Sequence, residues 1–293
     1  MNSDVSLASE IRGFGATRRV LSRGGVTASI ALLFVIAAVC ALAPLVAPYD
    51  PAAQPSIIAL RSQPPSWAHP FGTDEFSRDV LSRVIYGGRV SLAVAVVATL
   101  VSVTLGTAYG AAAGYATGFG GALLQRVLEA LLSIPRLLLL IAIFAAWREI
   151  PPAGFVLILG VTGWYGLARL VRGQVLALKT RDFVASARAL GATDGRILMR
   201  HILPNVVTPV VVAATLGIGH VIVLEAGLSY LGIGVRPPDP SWGNMIHDGP
   251  EQIAAQWWVS VFPGIAIVCT VMAFNVLGDA LLRALRPGQT ETG

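Results

Sequence analysis

Lysine is nearly absent. The chain has 293 residues and 21 basic ones, of which only Lys179 is a lysine. A phosphate-binding loop needs Gly, four residues, then Gly-Lys-Ser/Thr, because backbone N–H groups must wrap the phosphates. The single trial runs from Gly173 to Thr180 and carries Leu178 where the second Gly is required. The chain therefore hosts no nucleotide site of that kind. Cysteine is equally scarce. Cys40 and Cys269 both lie in apolar runs, so neither a disulfide framework nor a metal site is implied. The four histidines are far apart and form no His-Glu-x-x-His. Gly227, Ser229 and Leu231 miss the final Gly of a nucleophile elbow, so no active site and no cofactor is expected. Charge is short as well, at 13% against about 25% in soluble domains.

What fills the space is apolar. Hydrophobic residues make up 55% of the chain and mean hydropathy is +0.70. The class is an all-α integral membrane protein. The net charge of +5 does not imply nucleic acid, since no aromatic-interleaved basic groove accompanies it. Val26–Val46 is long enough to cross a hydrocarbon core of about 30 Å. A cleavable leader is its rival, but that would have an apolar core of only about 7–15 residues. Further spans are expected beyond Val90, at about 130–148 with Pro135 and Arg136 inside, and at about 153–168. Two more follow at about 206–224 and 257–278. Six spans with the N-terminal tail inside leave 14 of the 21 basic residues in cytosolic segments, six outside and Arg136 within a span. The positive-inside rule then sets the orientation, with both termini cytosolic.

Between spans two and three lies a Gly-rich turn at Gly118, Gly120 and Gly121. Before it, Ser102, Gly106, Gly110, Gly114 and Gly118 recur every four residues. That spacing lines small residues along one helix stripe, which lets a neighbouring backbone approach. Ahead of the second span, Phe76, Val80, Leu81, Val84 and Ile85 oppose Arg78, Asp79 and Arg83, the pattern of an amphipathic helix at the membrane surface. The intramembrane Arg136 either lines a solute path and meets a carboxylate, or snorkels to the cytosolic interface beside the Pro135 break. Asn275 faces the path or bonds a neighbouring helix. His220 reads as an interhelical polar group, and Glu225 and Asp279 as solvated span ends.

One polar stretch, 181–204, stands between apolar runs as two short helices and a hinge. Thr180 can cap the first helix, and Phe183, Val184, Ala187 and Leu190 share a face. Gly191 sits where a helix C-terminus wants φ > 0. Thr193 or Asp194 caps the second helix, which Pro204 is expected to stop at Leu203.

This stretch resembles the cytoplasmic coupling loop of ATP-binding-cassette importer permeases, whose pattern is Glu-Ala-Ala, three residues, Gly, nine residues, Ile, one residue, Leu-Pro. Here it reads Ala185, Ser186, Ala187, Gly191, His201, Leu203 and Pro204, so Glu, the first Ala and Ile are replaced. Residues 69–92, 163–178, 225–246 and 262–287 resemble, in order, further stretches of the dipeptide, oligopeptide and nickel branch, in particular the longer, second permease of each pair. The resemblance implies a type I importer permease fold with six transmembrane helices, in a bacterial inner membrane. The expected organisation is a cytosolic tail 1–25, an anchor helix 26–47, and an external loop 48–88 with an interfacial helix. A five-helix core 89–287 containing the coupling loop 179–205 and a tail 288–293 complete it. It implies a second homologous permease, two ATPase subunits that bind the ATP, and an extracytoplasmic solute-binding protein. The rival class is a self-contained secondary transporter or channel, which needs a coupling-ion site of its own. Arg136 and Asn275 are the candidate pathway residues, and Gly106, Gly110 and Gly114 the candidate packing contacts.

Overall fold

Lipid offers no hydrogen bonds, so a chain this apolar satisfies its backbone internally, as helix. The computed structural model describes residues 23–56, 58–147, 150–235, 238–248 and 256–284. The tails with Arg12, Arg18, Arg19 and Arg286, and also Arg148 and Arg236, lie outside the described residues. Helix α1 is Arg23–Ala41, followed by the single turn α2 at Ala43–Val46. Then come α3 Val80–Tyr115, α4 Gly118–Leu132, α5 Arg136–Ala146, α6 Pro152–Val161 and α7 Trp164–Lys179. The polar stretch holds α8 Asp182–Ala189, α9 Asp194–Ile197 and a π-helical turn Leu198–Ile202. After these come α10 Leu203–Tyr230, the short α11 Trp242–His247, and α12 Trp257–Ala284. Among the described residues there is no strand, only a bridge between Thr73 and Asp79.

Five helical segments are long and apolar enough to cross a membrane: α1, α3, α6 with α7, α9 through α10, and α12. Helices α4 and α5 pass the same test only together, and they meet at 77° across the break at 133–135. The expected third span is therefore sharply bent rather than merely interrupted.

Helix α3 is the axis of the bundle, packed against α1, α6, α7 and α10, while α10 also lies on α12. The small-residue stripe explains the closest of these contacts. Ser102 Oγ donates to Gly160 O at 2.8 Å. A Cβ on Gly106 would stand 2.9 Å from Trp164 O, one on Gly110 2.5 Å from Ala168 O, and one on Gly114 2.8 Å from Val175 Cβ. Gly118 meets nothing and instead takes φ +63° at the turn into α4. Only that one residue of the Gly-rich turn has left-handed backbone, since Gly120 and Gly121 are already helical.

Two further expectations are corrected. No separate surface helix precedes the second span. Asp79 caps α3 by accepting from Ser82 N, and the helix then runs unbroken for 36 residues, about 54 Å. The charges Arg78 and Arg83 are buried among carboxylates rather than facing headgroups. Nor does Pro204 end the second short helix. It occupies the first turn of α10, and the missing N–H is absorbed by the π-helical turn, where Leu203 N reaches back to Leu198 O.

Candidate functional site

Residues 181–204 form a knob, built by two short helices folded back on the ends of α7 and α10. Val184, Ala187, Ile197 and Ile202 pack with Val171, Val175, Val206 and Val210 in one buried cluster. The face read from spacing is thus divided. Val184 and Ala187 turn inward, while Phe183 is exposed, as are Leu190 at 89% and Met199 at 64%. Thr180 does not cap α8. It ends α7, and its hydroxyl donates to Ala177 O at 3.2 Å. Thr193 holds the N-cap position of α9 without a side-chain bond. Gly191 takes φ +83° with open space around it, so a side chain there meets strain rather than collision. Ala185, Ser186, Gly191 and Pro204 are exposed, whereas Ala187 is buried and His201 and Leu203 are half-buried. The knob is tied to α3 as well, since Tyr115 Oη donates to Asp194, and Lys179 Nζ at the end of α7 donates to Tyr115 O.

A second feature lies at mid-height of the bundle. A cavity of about 170 Å³ is lined by Thr99, Ser102, Arg136, Gly163, Gly217 and His220, with apolar neighbours from α3, α7 and α10. Arg136 opens α5 just past the bend and is half-buried. Its Nη2 donates to Leu159 O at 2.7 Å, while its Nε is buried with no partner among the described residues. His220 shares this cavity. Asn275 does not: it sits exposed on α12, so the two candidate pathway residues are not brought together. A polar groove of about 470 Å³ lies across the same bend, lined by Gln125, Glu129, Ser133, Arg169 and Arg172.

The far end from the knob carries buried charge that sequence reasoning missed. Asp74 accepts from Arg78 Nε at 2.6 Å and from Arg83 Nη1, and Asp248 accepts from both arginines at 3.3 and 3.1 Å. His69 Nδ1 meets Asp79 at 2.9 Å beside them. Glu225 is no solvated span end. It is fully buried, with Ser91 Oγ at 2.9 Å and Ser229 Oγ at 2.7 Å. Ser91 also accepts from Trp242 N and Ser229 from Val235 N, so one carboxylate ties α3 and α10 to Val235 and to the start of α11. Asp279 is exposed. The four-residue step from Glu225 to Ser229 was the available signal, because it puts a hydroxyl beside the carboxylate on one helix face.

Residues 106–291 match the family model described as binding-protein-dependent transport system inner membrane component. Residues 15–65 match the N-terminal TM domain of oligopeptide transport permease C. The chain is 38% identical over 274 residues to the dipeptide transport system permease protein DppC of Bacillus subtilis, covering 93% of this chain and 84% of that one. It is 41% identical over 262 residues to the glutathione transport system permease protein GsiD of Escherichia coli O6:K15:H31, covering 89% and 86%. Among solved structures, an inward-facing crystal form of the MetNI methionine ABC transporter matches with a TM-score of 0.56 at 20% identity. That match covers 70% of this chain and 97% of the other.

Proposed function

Because the chain belongs to the family of binding-protein-dependent transport system inner membrane components, we propose that it forms half the translocation pathway of an ATP-driven importer of di- and oligopeptides. The chain is a multi-pass ABC importer permease with the type I fold. The peptide class is carried over from the dipeptide and glutathione relatives. The observation that carries the coupling role is the divided knob. One face interlocks with α7 and α10, and the other leaves Phe183, Leu190 and Met199 uncovered. Large apolar side chains left exposed on a packed element suit a partner surface.

In this reading the partners are a second permease, two ATPase subunits that bind and hydrolyse the ATP, and an external solute-binding protein. Closure of the ATPase pair pushes the knob. Because Val184 and Ile197 are packed against Val171 and Val206, the push passes to α7 and α10. Those helices line the mid-bundle cavity, which then alternates between the two sides of the membrane.

The test is the complete complex in liposomes with its binding protein. ATP-dependent uptake from a peptide mixture is expected, and uptake driven by an ion gradient without ATP would sink the reading. Gly191→Val should abolish solute-stimulated ATP hydrolysis while leaving membrane insertion intact. A β-branched residue at φ +83° costs about 1–3 kcal/mol. Gly191→Asn, which tolerates that backbone, should keep most of the stimulation.

A further inference from the structure

The mid-bundle cavity holds a positive charge with no carboxylate beside it among the described residues. Thr99, Gly217 and Gly163 lie near the midpoints of the α3, α9–α10 and α6–α7 segments, so the cavity is far from either end of the bundle. A guanidinium at such depth is costly, and burial of a charge is ordinarily met by a counter-ion. Among the described residues no Asp or Glu lines the cavity. Among the described residues Arg136 has one hydrogen bond, from Nη2 to Leu159 O, and its buried Nε has no partner. Thr99 Oγ1, on the same wall, is also buried without a partner. The buried arginines at the far end of the molecule differ in having counter-ions: Arg83 Nε is also buried without a partner among the described residues, but Arg78 and Arg83 each meet two carboxylates.

We propose that this cavity is a carboxylate-binding station on the translocation path, in which Arg136 pairs with the C-terminal carboxylate of the peptide while Thr99 and His220 supply further polar contacts. The identification of the ligand as a peptide rests on the function proposed above; the carboxylate chemistry does not. A volume of about 170 Å³ suits an end group rather than a whole peptide, since drug-sized ligands occupy about 300–1,000 Å³. Recognition of the terminus alone also fits a broad importer, because every unmodified peptide carries that group whatever its side chains. Arginine matches it through paired, charge-assisted hydrogen bonds.

The experiment uses the complete transporter with Cys40 and Cys269 replaced and a single cysteine at Gly217. A Cβ there meets only Thr99 Cγ2, at 3.6 Å, so the substitution fits. Sodium acetate should slow maleimide modification of Gly217→Cys, whereas acetamide with sodium chloride at equal ionic strength should not. Arg136→Gln keeps an N–H for Leu159 O but removes the charge, and should erase the difference; Arg136→Lys should retain part of it. In uptake, a peptide with a free C-terminus should lose about tenfold in Arg136→Gln. Its C-terminal amide should be unaffected. Equal protection by acetate, acetamide and chloride, or protection that survives Arg136→Gln, would overturn the station. Equal loss of both peptides would do so too, by reducing Arg136 to a prop for Leu159. If acetate protects but no peptide is transported by the unaltered complex, the peptide reading fails and the carboxylate site stands.

Discussion

Asp74 neutralises two guanidiniums at once, and that shared role makes it the most exposed point of failure among the buried charges. With Asp248 it brings two negative charges to Arg78 and Arg83, so the set is neutral as a group. Removing one partner of such a set leaves a buried charge uncompensated, at about 3–5 kcal/mol. Asp74→Asn should therefore lower the thermal unfolding temperature of the purified protein markedly. Arg188→Ala, which breaks an exposed pair with Asp194 at 3.8 Å, should cost only about 0–1 kcal/mol. Similar small shifts in both would mean the far-end cluster is not holding its loops. Little of this was legible in the sequence. Arg78 and Arg83 read as a solvated face because their second partner, Asp248, lies more than 160 positions away. Glu225 was misread for the same reason: Ser229 is near in sequence, but Ser91 and the turn at Trp242 come together only in the fold.

At the scale of elements, shape was legible and hydrogen-bond register was not. A four-residue recurrence of Gly needs no knowledge of the partner, since any helix laid in that groove must come close. The partner turned out to be α7, with Ala168 O only 2.5 Å from where a Gly110 Cβ would stand. Gly110→Ala should thus force α3 and α7 apart, and overpacking of this kind costs about 1–3 kcal/mol. Gly173→Ala, on α7 but with nothing within 4 Å, should be neutral or slightly stabilising. The readout is the fraction of each variant surviving as a monodisperse complex after heating in detergent. Equal tolerance of both would show that the contact is loose. The end of the second short helix was not legible. A proline usually marks a helix boundary, but a widened turn at Leu198–Ile202 can re-register the ladder, and nothing in the side-chain pattern distinguishes the two outcomes.

For the whole molecule, the two ends of α3 are chemically distinct, and the difference predicts which way the protein faces. At the Val80 end Arg78 and Arg83 are paired with Asp74 and Asp248, while Arg61 and Arg89 are exposed without an ion-pair partner among the described residues. Trp242 and Trp258 bury their indoles there against the chain, donating to Val84 O and Thr73 O. At the Tyr115 end, Arg169, Arg181, Arg188, Arg196 and Arg200 are exposed, and only Arg188 of these has an ion-pair partner among the described residues. The positive-inside rule concerns basic residues near span ends, and these unpaired ones lie on the knob side. Arg78 and Arg83, at the other end, still count against the bias, since the rule concerns basic residues and not net charge, but they are outnumbered. The knob side should therefore be cytosolic. Labelling positions follow from burial: Ser241 is fully buried as the cap of α11, so a cysteine there would be silent, whereas Asp239 and Thr193 are exposed at opposite ends. In a background free of Cys40 and Cys269, an impermeant maleimide should modify Asp239→Cys in intact cells. It should reach Thr193→Cys only after the membrane is opened. Modification of Thr193→Cys from outside would invert the molecule, put the knob beyond reach of any nucleotide-driven partner, and remove the coupling role with it.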